Sequence, residues 1–95
     1  MKIFKYQLPT VKGPFTLPIP EGFAYENLYV GIQNNAPYIW FRVYKAKNAE
    51  RYTKKFQCFE TGYSVDENEG DLLYLGTALL GGGAYVLHYF EDFGD

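Results

Sequence analysis

The feature that most constrains this chain is the spacing of its apolar residues, which recur at every second position in seven separate stretches. In KIFKYQL (2–8), Phe4, Tyr6 and Leu8 fall on one side, with Lys5 and Gln7 on the other. FTLPIP (15–20) sets Phe15, Leu17 and Ile19 against Thr16 and two prolines. NLYVGIQ (27–33) aligns Leu28, Val30 and Ile32. YIWFRVY (38–44) aligns Ile39, Phe41 and Val43 opposite Tyr38, Trp40, Arg42 and Tyr44. RYTKKFQCFE (51–60), DLLYLGTALL (71–80) and AYVLHYFE (84–91) complete the set. A period of two places alternate side chains on opposite faces of a strand, whereas a helix needs apolar residues at i, i+3, i+4 and i+7. No stretch holds the helical spacing over ten positions, and AKNAER (46–51) and SVDENEG (64–70) have room for a single turn each. The pattern predicts one all-β antiparallel domain over residues 1–95, with about seven short strands in a small sandwich or barrel.

Turn chemistry fixes two connections. Asn34 and Asn35 tolerate left-handed backbone, so GIQNNAPYIWFRV (31–43) reads as a hairpin with Pro37 stiffening its exit. Ile32, Ile39, Phe41 and Val43 then point inward, and Tyr38, Arg42 and Tyr44 outward. Trp40 shares the outward parity, and its size predicts cover from a flanking segment or a partner chain. Gly81-Gly82-Gly83 joins the last two strands. As a phosphate cradle it would need a strand, loop and helix in sequence, and no helix follows.

A chain of 95 residues builds only one modest core. Ten Tyr, eight Phe and one Trp supply the bulk for it. The net charge of −2 argues against general attraction to nucleic acid or anionic membrane. A lone cysteine, Cys58, makes no internal disulfide and points to a reducing compartment. MKIFKYQLP interrupts its apolar residues with Lys5 and Gln7, unlike a signal peptide, and no apolar run reaches the length of a membrane span. The expectation is a soluble cytoplasmic protein with no membrane partner.

Catalytic raw material is scarce. His88 is the only histidine; in AYVLHYF it shares a face with Val86 and Phe90, which predicts a half-buried, hydrogen-bonded side chain and not a general base. Cys58 beside Phe56 and Phe59 reads as a small hydrophobe. One Cys and one His do not make an ordinary zinc site. DENEGD (66–71) lacks the spacing of a calcium loop and reads as a solvated acidic turn. The chain is therefore expected not to be an enzyme, with no catalytic residues, no metal and no cofactor.

Charge is distributed less evenly. Residues 42–55 hold Arg42, Lys45, Lys47, Arg51, Lys54 and Lys55 against Glu50 alone, a local charge of +5. Residues 60–71 answer with five carboxylates and no base. Such runs are usually solvated faces. Interleaved with Tyr38, Trp40, Tyr44 and Tyr52, these cations also suit an anionic partner. Tyr38, Arg42, Tyr44, Lys45, Lys47, Arg51 and Lys55 are the candidate binding residues. If strand 51–60 lay beside 38–44, Arg42, Lys45 and Lys55 would converge on one edge.

Several stretches together resemble a family of small tailed-phage proteins, a domain of unknown function. KIFKYQL, LYVGIQN with the following YIW, ETG (60–62), LYLGT (73–77) and VLHYFE (86–91) parallel its K-I-x-K-Y, V-x-V-Q-N-x4-W, T-G, I-G-T and V-W-H-x-F-E motifs. The family's Asn-Gly turn is replaced by Asn34-Asn35-Ala36-Pro37, and its Trp before the His by Leu87. The resemblance implies a phage accessory protein made in the host bacterial cytoplasm, and it carries over no catalytic residue. The functional expectation is a protein that binds a host bacterial protein and inhibits a defence system. The alternatives are a module that sequesters a nucleotide or other small-molecule defence signal, or one that binds single-stranded nucleic acid. Sparsely guarded strand edges also predict a homodimer.

Overall fold

Alternation becomes seven strands. The protein, here a computed structural model, is described at residues 1–62 and 71–94. Its strands are β1 (Lys2–Gln7), β2 (Gly13–Thr16), β3 (Phe23–Gln33), β4 (Ala36–Lys45), β5 (Lys55–Glu60), β6 (Leu72–Leu80) and β7 (Tyr85–Asp92). They form two antiparallel sheets, ordered β1-β4-β3 and β2-β5-β7-β6, packed as a sandwich. The helical content among the described residues is two 3-10 turns, Ala49–Arg51 and Gly81–Gly83. The SVDENEG turn and, except for Asp71, the DENEGD loop lie outside the described residues. No described helix is long and apolar enough to cross a membrane.

The expected hairpin forms β3 and β4. Asn34 and Asn35 both take positive φ, 53° and 62°, and Gln33 pairs with Ala36 across them. A two-residue turn of this hand matches the twist of the flanking strands. Ile39, Phe41 and Val43 are sealed inside with Phe56, Cys58, Leu87 and Tyr89. Phe41 lies between Tyr25 and Phe56, with ring centroids 5.1 and 6.0 Å away. Each such side chain contributes about 1.5–3 kcal/mol through burial.

Four features depart from the sequence pattern. In β3 the ladder shifts register between Asn27 and Tyr29, so Leu28 is an extra residue and points to solvent. Ile32 keeps inward parity but pairs with Pro37 at the hairpin tip, where it stays 43% exposed instead of entering the core. The FTLPIP strand stops at Thr16, because Pro18 and Pro20 have no N–H for a ladder, although Leu17 and Ile19 remain buried. The 51–60 strand starts only at Lys55: Arg51 ends a 3-10 turn and Lys54 has φ +54°.

The sheets meet along β3 and β6. Here β6 carries its own register shift, between Tyr74 and Gly76. A Cβ on Gly76 would fall 2.5 Å from Val30 Cβ, so only glycine lets the strands come this close. Asn27 Nδ2 crosses the same joint to donate to the Leu75 carbonyl at 2.8 Å, satisfying a backbone acceptor that the bulge frees. On the far side of the core, Tyr89 donates from its hydroxyl to the Pro9 carbonyl at 2.7 Å.

Candidate functional site

The ladder β1-β4-β3 decides which side chains share the outer face of the smaller sheet. Lys5 lies opposite Trp40, Trp40 opposite Tyr29, and Arg42 opposite Glu26. The result is a row of rings, Tyr29, Trp40 and Tyr38, with centroids 5.9 and 6.2 Å apart. Gly31 sits between Tyr29 and Tyr38 in the ladder and has no side chain, so the Tyr29 ring folds over it; a Cβ there would meet that ring at 2.4 Å. Trp40 is half-buried between its neighbours, while Tyr29 is 64% exposed.

One cation stands over a ring of this row, and a second over Tyr44 further along β4. Lys5 Nζ stands 4.8 Å from the Tyr38 ring centre and donates to Gln33 Oε1 at 2.7 Å. Arg42 stacks over Tyr44 at 5.0 Å and pairs with Glu26 at 2.7 Å. Cation–π contacts of this kind contribute about 0.5–1 kcal/mol at exposed sites and limit ring motion. Tyr44 also places its hydroxyl 3.4 Å from that of Tyr52, a contact that raises the Tyr52 hydroxyl's pKa.

The candidate residues divide accordingly. Tyr38, Arg42 and Tyr44 come together on the outer face, with Lys45 at the end of the same strand. Lys47 and Arg51 lie in the connection from β4 to β5. Convergence of Arg42 and Lys45 with Lys55 does not occur: β4 and β5 belong to different sheets, and Lys55 Nζ donates to the Gly94 carbonyl at 2.7 Å. The reason is the connection itself, where the 3-10 turn and the left-handed Lys54 carry the chain across to the other sheet.

Sequence reasoning missed Tyr29 and Lys5 on this face. The first has outward parity beside Val30, but its place opposite Trp40 depends on the β3–β4 register. The second was assigned to a polar side without its cross-strand neighbour. Glu91 was also missed, although it shares parity with Leu87 and Tyr89; it is buried, and the Tyr25 hydroxyl donates to its Oε2.

The opposite outer face is built differently. His88 stands between two threonines, with Nε2 at 2.7 Å from Thr61 Oγ1 and Nδ1 at 2.9 Å from Thr77 Oγ1, and Tyr74 hydrogen-bonds to Thr77. His88 is half-buried and hydrogen-bonded, as its parity predicted. On the same face Phe59 and Tyr74 both pack edge to face against Phe90. Cys58 is buried inside, where burial pushes its thiol up and keeps it in the unreactive protonated form. Among the described residues, no three His, Cys, Asp or Glu side chains gather as a metal-binding group.

The model of a family described as a domain of unknown function, DUF7352, matches residues 1–94. The chain belongs to that family. No curated protein and no solved structure matches it. Within this DUF7352 chain, the outer face of the three-stranded sheet arranges aromatic and charged groups together in the open.

Proposed function

We propose that the chain is a non-catalytic binding module that docks a partner protein on the outer face of its three-stranded sheet. The observation that carries this reading is the row Tyr29, Trp40 and Tyr38, with Lys5 over Tyr38 and, on the same strand, Arg42 over Tyr44. Trp, Tyr and Arg are the side chains that dominate contact energy at protein interfaces. Here they are restrained before any partner arrives, so docking orders few of them anew.

Nucleic acid fits this face less well. A single-strand site needs free cations beside its stacking rings. Lys5 is held by Gln33, Arg42 is paired with Glu26, and the chain is net negative.

The fuller reading is a phage accessory protein that works in the host bacterial cytoplasm, binds a host protein and inhibits a defence system. Its support is the resemblance to small tailed-phage proteins. The stretches that carry this resemblance include Lys5, Gln33 and Trp40, which meet on the proposed docking face.

Affinity capture from a bacterial lysate, with wild type and Trp40→Ala in parallel, tests the reading. One host protein, identified by mass spectrometry and then purified, should bind wild type stoichiometrically. Loss of Trp40 should weaken it by about 2–4 kcal/mol. Unchanged affinity in a folded Trp40→Ala variant would refute the docking face.

A further inference from the structure

At the end of the three-stranded sheet away from the Asn34-Asn35 turn, a cleft of about 470 Å³ opens beside the core. That volume lies in the range of small-molecule sites, about 300–1,000 Å³. Val43, only 1% exposed, lies at its base, and Phe4, Pro20 and Phe23 form apolar wall. Phe4 and Phe23 are half-buried: they pack against the core and turn their remaining surface to the cleft.

Two lysines share this lining, and the ladder places them there. Lys2 pairs with Val43, and Lys45 pairs with Phe23. Cross-strand partners share a face, so both lysines lie on the inner face of the sheet, with sealed Val43. They are diagonal neighbours on that face, about 7–8 Å apart, a span that two flexible stems close to meet one anion.

Nothing on the protein occupies these two charges. Both lysines are exposed, and neither makes an ion pair among the described residues. Other lysines differ: Lys5 is held by Gln33, Lys54 by the Pro20 carbonyl and Lys55 by the Gly94 carbonyl. Among the described residues no carboxylate lines this cleft; Glu21 and Glu50 line a separate one, where Lys47 and Lys54 offset them. Besides the lysines, Tyr44 alone brings a polar side-chain atom to the described lining, and its hydroxyl lies 3.4 Å from that of Tyr52. A nucleotide or sugar would bury polar atoms here without partners, at a cost. A hydrocarbon body with a single anionic end matches both parts of the lining.

We propose that this cleft binds a single-chain amphipathic carboxylate of the fatty-acid class, its hydrocarbon body against Phe4, Phe23 and Val43 and its carboxylate between Lys2 and Lys45. The site lies on the inner face of the sheet, apart from the Tyr29, Trp40 and Tyr38 rings of the outer one.

Calorimetric titration of the full chain with decanoate, hexanoate and decylammonium is the test. Saturable one-to-one binding of decanoate is expected. Hexanoate offers less apolar surface and should bind more weakly by about tenfold or more. Decylammonium, with the same chain and the opposite charge, should also be weaker by about tenfold or more. Combining Lys2→Gln with Lys45→Gln alters only exposed side chains and should remove the preference for decanoate over decylammonium. Trp40→Ala should leave the titration unchanged. The proposal is overturned by no saturable decanoate binding up to about 1 mM, the concentration scale of weak non-specific contact. Equal affinity for decanoate and decylammonium would also overturn it, as would a preference that survives the double variant. Binding lost with Trp40 would place the ligand on the outer face and overturn it as well.

Discussion

The two outer faces of the sandwich arise from the same alternation, yet they use it in different ways. On the three-stranded sheet, charged groups from one strand brace rings from the next: Lys5 over Tyr38, and Arg42 over Tyr44 while paired with Glu26. On the four-stranded sheet, the polar groups satisfy one another along a line from Thr61 through His88 and Thr77 to Tyr74. Polar groups that complete their own hydrogen bonds gain little from a partner, because docking only exchanges one bond for another. Rings held in place by cations keep their outer surface for contact. A polar-looking outward face is thus a poor guide to binding until its internal partners are known.

The largest contrast should appear at two glycines. Gly76 lies against Val30 Cβ, which cannot swing aside, so Gly76→Ala should destabilise the fold by about 1–3 kcal/mol. Gly31 lies beneath the far end of the Tyr29 ring, which can rotate away, so Gly31→Ala should cost less than about 1 kcal/mol. Its effect should appear instead as a shift in fluorescence of the chain's single tryptophan, Trp40, because the neighbouring ring moves. Chemical denaturation with fluorescence detection reads both; similar stability losses would erase the distinction between joint and platform.

A smaller contrast concerns the polar groups. His88→Ala removes contacts to Thr61 and Thr77 and should cost about 1 kcal/mol. Glu26→Gln breaks an exposed ion pair and should cost no more than about 0.5 kcal/mol, an effect that salt diminishes. Thermal melts at low and high salt distinguish the two.

Neighbours in β7 give the subtlest test, in pH. Burial raises the carboxyl of inward Glu91, whereas Gln57 and the Gly94 N–H lower that of outward Asp92. An acid with a raised folded pKa lends stability that is full below its unfolded pKa and is lost as pH rises through the folded value. Asp92 acts in the opposite sense: its contribution is present above its unfolded pKa and is lost as pH falls through the folded one. From about pH 2 to 8, Glu91→Gln should therefore gain on wild type as pH rises past the ordinary glutamate range, whereas Asp92→Asn should lose its deficit only below about pH 4. Melting temperatures across that range that run parallel in all three proteins would contradict both shifts.

Much of the fold was legible because a period of two is hard to imitate. Phe41 and Arg42 fall on the sides their parity assigns, and the Asn34-Asn35 turn takes the hand its chemistry allows. Bulges were not legible. One extra residue at Leu28 reverses β3, and nothing in NLYVGIQ marks it, since every position there accepts a strand. The crossing from β4 to β5 was hidden for a related reason: a left-handed Lys54 is set by the sheets it connects, not by lysine's own preference. The docking face was therefore only partly visible. Tyr38, Arg42 and Tyr44 follow from one strand's parity, but Tyr29, Lys5 and the exclusion of Lys55 require knowing which strands are neighbours.

Nuclear magnetic resonance cross-saturation, from the captured partner protein to the isotope-labelled chain, tests the central claim most directly. The account predicts strongest transfer at Tyr29, Tyr38, Trp40, Arg42 and Tyr44, with little at Tyr74, Thr77 and His88. Strongest transfer at those last three residues would contradict it and move the docking face to the four-stranded sheet.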